Sequence, residues 1–216
     1  CKLNKLRLYA YSYNRETGTQ TPIKIPEECE YAIAMAIEMD YRMIMDTSLV
    51  RSSAATGLGY SEMAFIASLL AQYIRNLGYR AIPCGNDTGL SVPIAIDAGL
   101  GELGRHGLLI TPEFGPRVRL FKVFTDLPLK PDKPIDFGVQ GVCEKCRACA
   151  ALCPSQAISK EKKTTKARNI SNNPGVLKWP LDAEKCFRYW CEQGVDCSIC
   201  IQVCPFNMAS ATSKTP

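Results

Sequence analysis

The cysteine-rich stretch CEKCRACAALCP, residues 143–154, decides the fold of the C-terminal part of this chain. Its spacing, C-x2-C-x2-C-x3-C-P, is the run with which bacterial ferredoxins bind iron and sulfide. A modified second run, CSICIQVCP at 197–205, follows it, with Cys186 upstream. In two-cluster proteins, the last cysteine of such a run reaches the other cluster. The pattern therefore predicts two [4Fe–4S] clusters. The first is assigned to Cys143, Cys146, Cys149 and Cys204, and the second to Cys153, Cys186, Cys197 and Cys200.

Disulfides and zinc explain the twelve cysteines less well than clusters do. Nine of them lie between 143 and 204, mostly two or three residues apart, too close for most pairs to form unstrained disulfides. Zinc also binds C-x2-C pairs, but two C-x3-C-P endings are typical of cubanes. Either Cys186 or Cys191 could be the remaining ligand of the second cluster. We favour Cys186, because the longer loop that follows it spans the turn more easily. The cysteines expected to be buried thiols are Cys1, Cys29, Cys84 and Cys191.

The composition is typical of a globular protein with a sizeable core, since 46% of its 216 residues are hydrophobic and 22% are charged. No run of about 18 apolar residues is present, so we expect no membrane span. The net charge is only +5, and the densest basic run, KEKKTTKAR at 160–168, lacks interleaved aromatic residues. A solvated loop is therefore expected there, and no nucleic-acid partner. Because the chain begins at Cys1 without methionine or leader, we treat it as a fragment or processed product, whose missing leader says nothing about compartment.

Hydrophobic periodicity predicts an α/β arrangement before residue 138. YAIAMAIEM (31–39) alternates large and small residues, as in a strand, and residues 59–79 follow the helical period up to Gly78. The segments AIPC, GLLITP and RVRLFKVFT (117–125) are further strand candidates, and a short helix is predicted to begin at Pro93.

Three prolines in DLPLKPDKPIDFG (126–138) are typical of a domain boundary. We therefore predict an α+β chain with an α/β domain at 1–137, a ferredoxin-like two-[4Fe–4S] domain at 138–209, and a tail at 210–216. The segment GLGELG (99–104) matches the dinucleotide fingerprint, but that motif needs a strand before it and a helix after it. Here the predicted order is the reverse, so its glycines are expected to cap a helix and turn the chain.

A two-cluster electron carrier does not need the α/β domain that precedes the cysteine runs. We therefore expect the electrons to be delivered to a pocket on that domain. Three segments, TGLGYSEMA (56–64), 77–105 and 108–129, together with the cysteine runs, resemble the central and C-terminal parts of respiratory reductive dehalogenases. These are the corrinoid and iron–sulfur enzymes of organohalide respiration. The resemblance covers nearly the whole chain and is closest to chloroethene-reducing members. The N-terminal portion of these proteins and their short C-terminal end have no counterpart in this sequence.

The resemblance implies a nitroreductase-like α/β domain built around a base-off corrinoid, whose cobalt is reduced by the two clusters and removes halogen from carbon. By the same resemblance, the proton-donating tyrosine is Tyr60, the asparagine beside it is Asn86, and the supporting arginine is Arg119. Tyrosine keeps its proton at neutral pH, arginine supplies a permanent cation, and asparagine donates an amide hydrogen bond.

The residues alone leave other roles open for this trio. Tyr60 would be a packing residue and Asn86 a turn residue, and Arg117 and Arg119 share a strand face, so that either could enter a pocket. His106 is expected to be a surface or satisfied histidine and not a cobalt ligand, because the D-x-H-x-x-G pattern of His-on corrinoid proteins is missing. The corrinoid contacts are not assigned.

Two other functions are considered. Epoxyqueuosine reductases of tRNA modification share the corrinoid and two-cluster layout, but they use a carboxylate donor, and this chain lacks a basic RNA-binding repeat. A non-catalytic electron-transfer subunit would carry the clusters beside a structural domain. The resemblance further implies an organohalide substrate, a membrane-anchor subunit, a quinone-linked electron donor and a place on the outer face of the cytoplasmic membrane after twin-arginine export. A homodimer is also considered.

Overall fold

The computed structural model describes residues 1–14 and 16–208, so the predicted tail at 210–216 lies outside the described residues. The chain divides into two units that interleave along the sequence. The first unit comprises Cys1–Ile37, Gly59–Gly101 and Arg119–Ile135. The second comprises Glu38–Leu58, Glu102–Val118 and the described residues from Asp136 onward. The predicted consecutive division at 1–137 and 138–209 does not account for the segments 38–58 and 102–118, because sequence order does not reveal which distant segments pack together.

The described residues form seven strands and seven α-helices. The strands are β1 (Tyr11–Tyr13), β2 (Gln20–Pro22), β3 (Tyr31–Glu38), β4 (Ala81–Cys84), β5 (Glu102–Leu103), β6 (Leu109–Ile110) and β7 (Val118–Thr125). The helices are α1 (Tyr41–Met45), α2 (Leu49–Asn76), α3 (Ser91–Asp97), α4 (Val139–Cys146), α5 (Ala148–Leu152), α6 (Ala183–Gln193) and α7 (Ile199–Gln202). A 3₁₀ turn at Lys5–Arg7 precedes them.

The first unit is built on a three-stranded sheet in the order β3–β7–β4. Strand β7 runs antiparallel to β4, with Ala81 opposite Thr125. Helix α2 covers this sheet with Met63, Ala67, Ala71 and Ile74, which recur at helical spacing and are buried. They belong to hydrophobic clusters that include Phe121 and Val123 of β7, and full burial of a side chain such as Ile74 contributes about 1.5–3 kcal/mol.

Helix α2 is also long and apolar enough to cross a membrane by length and composition alone, with a mean hydropathy of 1.2. Core helices pass the same test, and the buried face of α2 packs on the sheet within the first unit. The expectation that no segment spans a membrane therefore stays a prediction.

The predicted strands and helices agree in kind with the structure. Strand β3 and strand β4 lie where they were predicted, and β7 begins one residue later than expected. Helix α2 begins at Leu49, ten residues before its predicted start, because the residues before Gly59 are mostly small or polar and obscure the helical period. The GLGELG segment follows α3 and contains β5, and Gly99 adopts a φ of 77° just after the helix, as expected for a capping glycine.

The second unit has small hydrophobic clusters around its cysteines. Trp179 is buried together with Ile110 and Val139, and Phe137 and Phe206 meet edge to face beside them, with ring centroids 6.0 Å apart. Gly115 approaches the same region, since it has a φ of 57° and a Cβ there would collide with the carbonyl of Phe206. This glycine therefore fixes the path of the chain just after Cys204.

We predict that Gly115→Ala strongly destabilises the second unit, because an alanine there meets both an unfavourable φ and the Phe206 carbonyl. Gly175→Ala is the matched control, since Gly175 also has a positive φ (84°) but a Cβ added there would meet nothing within 4 Å. The control should lose about 1–2 kcal/mol of unfolding free energy, and Gly115→Ala clearly more, measured by chemical denaturation of the purified protein. Equal losses would contradict the steric role of Gly115.

Candidate functional site

The four cysteines assigned to the first cluster line a single cavity in the second unit. The side chains lining it are Cys143, Cys146, Cys149, Cys204, Arg105, His106, Val142, Arg147 and Pro205. Cys204 is far from the other three cysteines in sequence and belongs to the second run. The cavity therefore brings together the first three cysteines of one run and the last cysteine of the other, as the crossed pattern predicts.

A break between two helices presents these cysteines to the cavity. Helix α4 ends at Cys146 and α5 begins at Ala148, and Arg147 between them adopts the left-handed conformation with a φ of 55°. A left-handed residue other than glycine costs about 1–2 kcal/mol. The break places Cys143 and Cys146 before the turn and Cys149 after it, so that all three line the same cavity.

Glu102 is a buried carboxylate that the sequence reasoning missed. One of its oxygens accepts hydrogen bonds from the backbone N–H groups of Phe137, at 2.8 Å, and Val139, at 3.1 Å. Val139 is the first residue of α4, so the carboxylate also meets the positive end of the helix dipole. Glu102 thereby anchors the start of the helix that carries Cys143 and Cys146. It lies inside the GLGELG segment, where only the glycines drew attention.

Arg105 is also buried, with 2% of its surface exposed. Its guanidinium donates to four backbone carbonyls, those of Cys143, Glu144, Ser159 and Glu161, at 3.0–3.4 Å. It also lies 4.7 Å from the ring centroid of Trp179, a cation–π distance. Arg105 therefore ties the end of α4 to the loop after α5 and adds a positive charge to the cavity. Sequence alone gives no sign that this arginine is buried.

The thiols of the first set raise one another's pKa values. Burial raises the pKa of Cys149 to about 12, with further increases from Cys143 and Cys204 and a smaller opposing effect from Arg105. Burial raises the pKa of Cys204 to about 11, and Cys143 and Cys146 add to it. Thiolates in this cavity are thus costly by themselves, and iron must supply the compensating charge.

The second set of cysteines is also brought together, and it contains Cys186. Burial raises the pKa of Cys186 to about 11, with further increases from Cys153 and Cys197. Burial likewise raises the pKa of Cys200, and neighbouring Cys197 and Cys186 add to that increase. Cys191 is exposed, so the expectation that it is a buried thiol is wrong: it lies on a solvent-facing position of α6. The arrangement favours Cys186 over Cys191 as the cluster ligand.

Cys153 differs from the other thiols of its set. Burial raises its pKa, but hydrogen bonds from the Ser155 hydroxyl and from the backbone N–H groups of Ser155, Ala157 and Ile158 outweigh burial and lower the net pKa. These donors are placed to stabilise a thiolate or a metal-bound sulfur.

Both sets fit cubanes better than single metal ions. Among residues 1–14 and 16–208, no three His, Cys, Asp or Glu side chains are arranged to hold one ion. A [4Fe–4S] cluster takes one thiolate at each iron, so its four ligands surround a body and do not converge on a point. The two sets also adjoin, because Cys149 of the first and Cys200 of the second belong to one hydrophobic cluster.

The residues assigned to proton donation meet in the first unit. The Asn86 amide nitrogen donates to the Tyr60 hydroxyl oxygen at 2.8 Å, and the Arg119 guanidinium lies 5.2 Å from the centroid of the Tyr60 ring. Tyr60 is 43% exposed, and Asn86 is also exposed. The three side chains come from α2, from the loop after β4 and from β7, so that the sheet and its covering helix bring them together.

Two further residues, Ser91 and Lys122, extend this contact into a chain of hydrogen bonds. The buried Lys122 ammonium donates to the carbonyls of Gly85 and Gly89 and to the Ser91 hydroxyl oxygen, at 3.0 Å for the last two. Because Lys122 can only donate, Ser91 donates onward to the Asn86 side-chain oxygen at 3.1 Å. This fixes the orientation of the Asn86 amide, whose nitrogen faces Tyr60. Sequence reasoning missed both residues.

Arg117 and Arg119, which the sequence could not tell apart, have different surroundings. Arg117 has no exposed side-chain surface and pairs with Glu38 at 2.7 Å, and its guanidinium also lies 5.1 Å from the ring centroid of Tyr41. Arg117 therefore has a structural role in the second unit, and Arg119 is the arginine beside Tyr60.

His106 is buried, so the expectation of a surface histidine is wrong. Its Nδ1 accepts a hydrogen bond from the backbone N–H of Leu108 at 3.2 Å, while its buried Nε2 has no hydrogen-bond partner among the described residues. Burial lowers the pKa of His106 to about 4. His106 is one of the residues that line the cavity of the first cysteine set. Because only one of its two ring nitrogens has a hydrogen-bond partner among the described residues, it is not a fully satisfied histidine either.

Two family models match this chain. Residues 142–207 match a 4Fe-4S double cluster binding domain, and residues 10–129, more than half of the chain, match the family described as reductive dehalogenase subunit. The first match bears out the prediction of two [4Fe–4S] clusters in the C-terminal part.

Similar proteins agree with these matches. The tetrachloroethene reductive dehalogenase of Desulfitobacterium hafniense is 50% identical over 81% of this chain and 32% of its own length. That of Sulfurospirillum multivorans is 47% identical over 88% of this chain and 38% of its own length. The chain thus spans about a third of the length of these curated relatives.

Solved structures confirm the predicted mixed α/β fold. The catabolic reductive dehalogenase NpRdhA, in complex with 3-bromo-4-hydroxybenzoic acid, has a TM-score of 0.84 and 30% identity, covering 99% of this chain and 30% of that one. An epoxyqueuosine reductase with a tRNA stem loop has a TM-score of 0.60 and 21% identity over 84% of this chain and 49% of that one, a likeness of fold alone.

We predict that Cys186→Ser disrupts the second cluster, because it removes a thiolate from the assembled set. The purified protein should lose up to about half of its iron, or convert one cubane to a three-iron form, as seen by iron analysis and electron paramagnetic resonance (EPR). Cys191→Ser is the matched control on the same helix and should keep full iron content, since Cys191 is exposed. The reverse result would reassign the ligand to Cys191.

Proposed function

The chain belongs to the reductive dehalogenase family, and we propose that it forms the core of an oxidoreductase that removes halide from a small organohalide, a chlorinated alkene. Replacing a carbon–chlorine bond by a carbon–hydrogen bond consumes two electrons and one proton and releases chloride. The two [4Fe–4S] clusters that the two cysteine sets would hold would supply the electrons, and Tyr60 would supply the proton. The relatives at 50% and 47% identity are tetrachloroethene reductive dehalogenases, and this supports a chlorinated alkene as the substrate.

The hydrogen bond from Asn86 to Tyr60 is the observation that carries the proposal. Because the Asn86 amide donates to the phenol oxygen at 2.8 Å, that contact does not use the phenol proton, which remains available for a substrate carbon. The same amide stabilises the oxygen after the proton has left. Arg119, 5.2 Å from the ring centroid, adds a permanent positive charge that favours the phenolate.

Lys122 and Ser91 support the donation from Asn86 to Tyr60. Lys122 donates to Ser91, Ser91 to Asn86, and Asn86 to Tyr60. Hydrogen bonds aligned in one direction polarise each other, so each donor strengthens the next. We infer that Lys122 and Ser91 position the Asn86 amide against the Tyr60 hydroxyl without touching the substrate.

A base-off corrinoid, which the family resemblance implies, supplies when bound the reduced cobalt that removes halogen from carbon. A solved relative is described as a case of B12-dependent dehalogenation. The residues of this chain fit such a cofactor in two respects. Its single histidine is buried beside the cysteines, so it is not available as a cobalt ligand. Tyr60 and Asn86 are exposed in the first unit, which leaves room for a large cofactor and a substrate beside the proton donor.

Location and protein partners follow from the family resemblance only. We propose export by the twin-arginine route to the outer face of the cytoplasmic membrane, with a membrane-anchor subunit and a quinone-linked electron donor. A homodimer is proposed on the same basis.

The activity is tested with the full-length protein, purified anaerobically with its clusters and supplied with a corrinoid. It should bind about one corrinoid and release chloride from tetrachloroethene with a low-potential electron donor. Tyr60→Phe should lower the rate by about 10²–10⁴-fold, the range for loss of a general acid, and leave the cluster spectra unchanged. Tyr73→Phe, at an exposed tyrosine of the same helix, is the matched control and should keep the rate.

Failure of individual steps would have distinct meanings. Corrinoid binding without chloride release would reject the substrate class but not the cofactor. A rate unchanged by Tyr60→Phe would reject the proton donor and favour a non-catalytic, electron-carrying role for this chain. Rescue of a queuosine-deficient strain would favour the tRNA-modifying reaction instead.

Asn86→Asp tests the direction of the hydrogen bond. A carboxylate of the same shape only accepts, so the phenol proton of Tyr60 should turn toward Asp and away from the substrate. We expect chloride release to fall by at least about tenfold. Ser91→Ala, which removes the donor behind Asn86 and one acceptor of Lys122 but keeps the Asn86 amide, should cause a smaller loss. A rate for Asn86→Asp equal to that of the unaltered protein would show that amide donation to Tyr60 is not needed.

A further inference from the structure

His106 combines burial, a fixed tautomer and a place beside the cysteines. Only 4% of its surface is exposed, and it is one of the residues that line the cavity formed by Cys143, Cys146, Cys149 and Cys204. The absence of a side chain at Gly104 is what admits the ring, since a Cβ there would lie 2.6 Å from the imidazole Cε1 atom. The imidazole is therefore held in one position against the cavity.

The hydrogen bond to His106 fixes which of its nitrogens carries the proton. Nδ1 accepts from the backbone N–H of Leu108 at 3.2 Å, so Nδ1 has no proton and the neutral ring carries it on Nε2. Nε2 is buried and has no hydrogen-bond partner among the residues that the structure describes. A buried donor without an acceptor costs about 1–3 kcal/mol, so its presence in a folded protein needs an acceptor.

Sulfur is the acceptor that this cavity provides. Four cysteines line it, and the two arginines that also line it, Arg105 and Arg147, can only donate hydrogen bonds. We propose that the His106 Nε2–H group donates a hydrogen bond to the first [4Fe–4S] cluster, either to a sulfide or to the sulfur of a ligating cysteine. The proposal rests on the assignment of this cluster to the four cysteines and is independent of the halide chemistry.

Such a bond would set the reduction potential of the first cluster. Reduction adds negative charge to the cluster sulfurs, and an N–H donor stabilises the reduced state more than the oxidised one. His106 therefore raises the reduction potential of the first cluster and makes its reduction easier. His106 acts here as a tuning residue through the cluster and touches neither the substrate nor the proton donor.

The test is an EPR redox titration of the full-length protein with both clusters in place. His106→Leu removes the donor and keeps an apolar side chain of similar size, so the first cluster should become harder to reduce. We expect the equilibrium constant for its reduction to fall about tenfold, a shift of about 59 mV for one electron. The second cluster serves as the internal control and should keep its potential. His106→Gln retains an N–H donor and should shift the potential less.

A second measurement on the unaltered protein does not depend on the folding of a variant. With ¹⁵N-labelled histidine, pulsed EPR of the reduced first cluster should detect one coupled nitrogen, and His106→Gln should abolish that coupling. A first cluster that forms normally but shows no histidine coupling would overturn the proposal, as would equal shifts of both clusters in His106→Leu. Absence of the first cluster itself would instead overturn its assignment to these cysteines.

Discussion

The charge on buried cysteine sulfurs is the constraint on which the second unit depends. Burial and mutual repulsion raise the pKa of Cys149 to about 12 and that of Cys186 to about 11, so neither set can hold several thiolates without a compensating cation. Iron supplies that charge, and its binding free energy becomes folding free energy for the surrounding helices. The short α5 and α7 would gain little stability from their own few residues. We therefore expect cluster binding to stabilise both helices.

Polar groups from a distant segment complete this arrangement. Glu102 anchors the start of α4, Arg105 binds carbonyls at its end, and His106 lines the cavity between the cysteines. These residues are close in sequence but have three different tasks: fixing a helix, neutralising its carbonyl end and donating to sulfur. They explain why segment 102–118 belongs to the second unit, although it lies among the residues of the α/β part.

The proton donation proposed for the first unit places a different electrostatic requirement on its residues. A tyrosine that gives up its proton needs stabilisation of the resulting negative charge, but a base beside it would take the proton first. Asn86 meets both requirements, because its amide donates and does not titrate. Lys122 holds the loop that carries Asn86 through the carbonyls of Gly85 and Gly89. Its burial lowers the pKa of the lysine, a cost offset by its three hydrogen bonds.

Sequence alone determined what depends on spacing and period: the two cysteine runs and the main strands of the first sheet. It also predicted the crossed assignment, and the structure brings Cys204 into one cavity with the first three cysteines of the other run. The likeness of three segments to a family pointed to Tyr60, Asn86 and Arg119, whose part in proton donation stays a prediction. Only the tertiary structure decided what depends on contacts between distant residues. It separated Arg119 from Arg117, favoured Cys186 over Cys191, and revealed the buried Glu102, Arg105, His106 and Lys122. A charged or polar residue has the same letter on the surface and in the core, and only its packing partners determine which role it has.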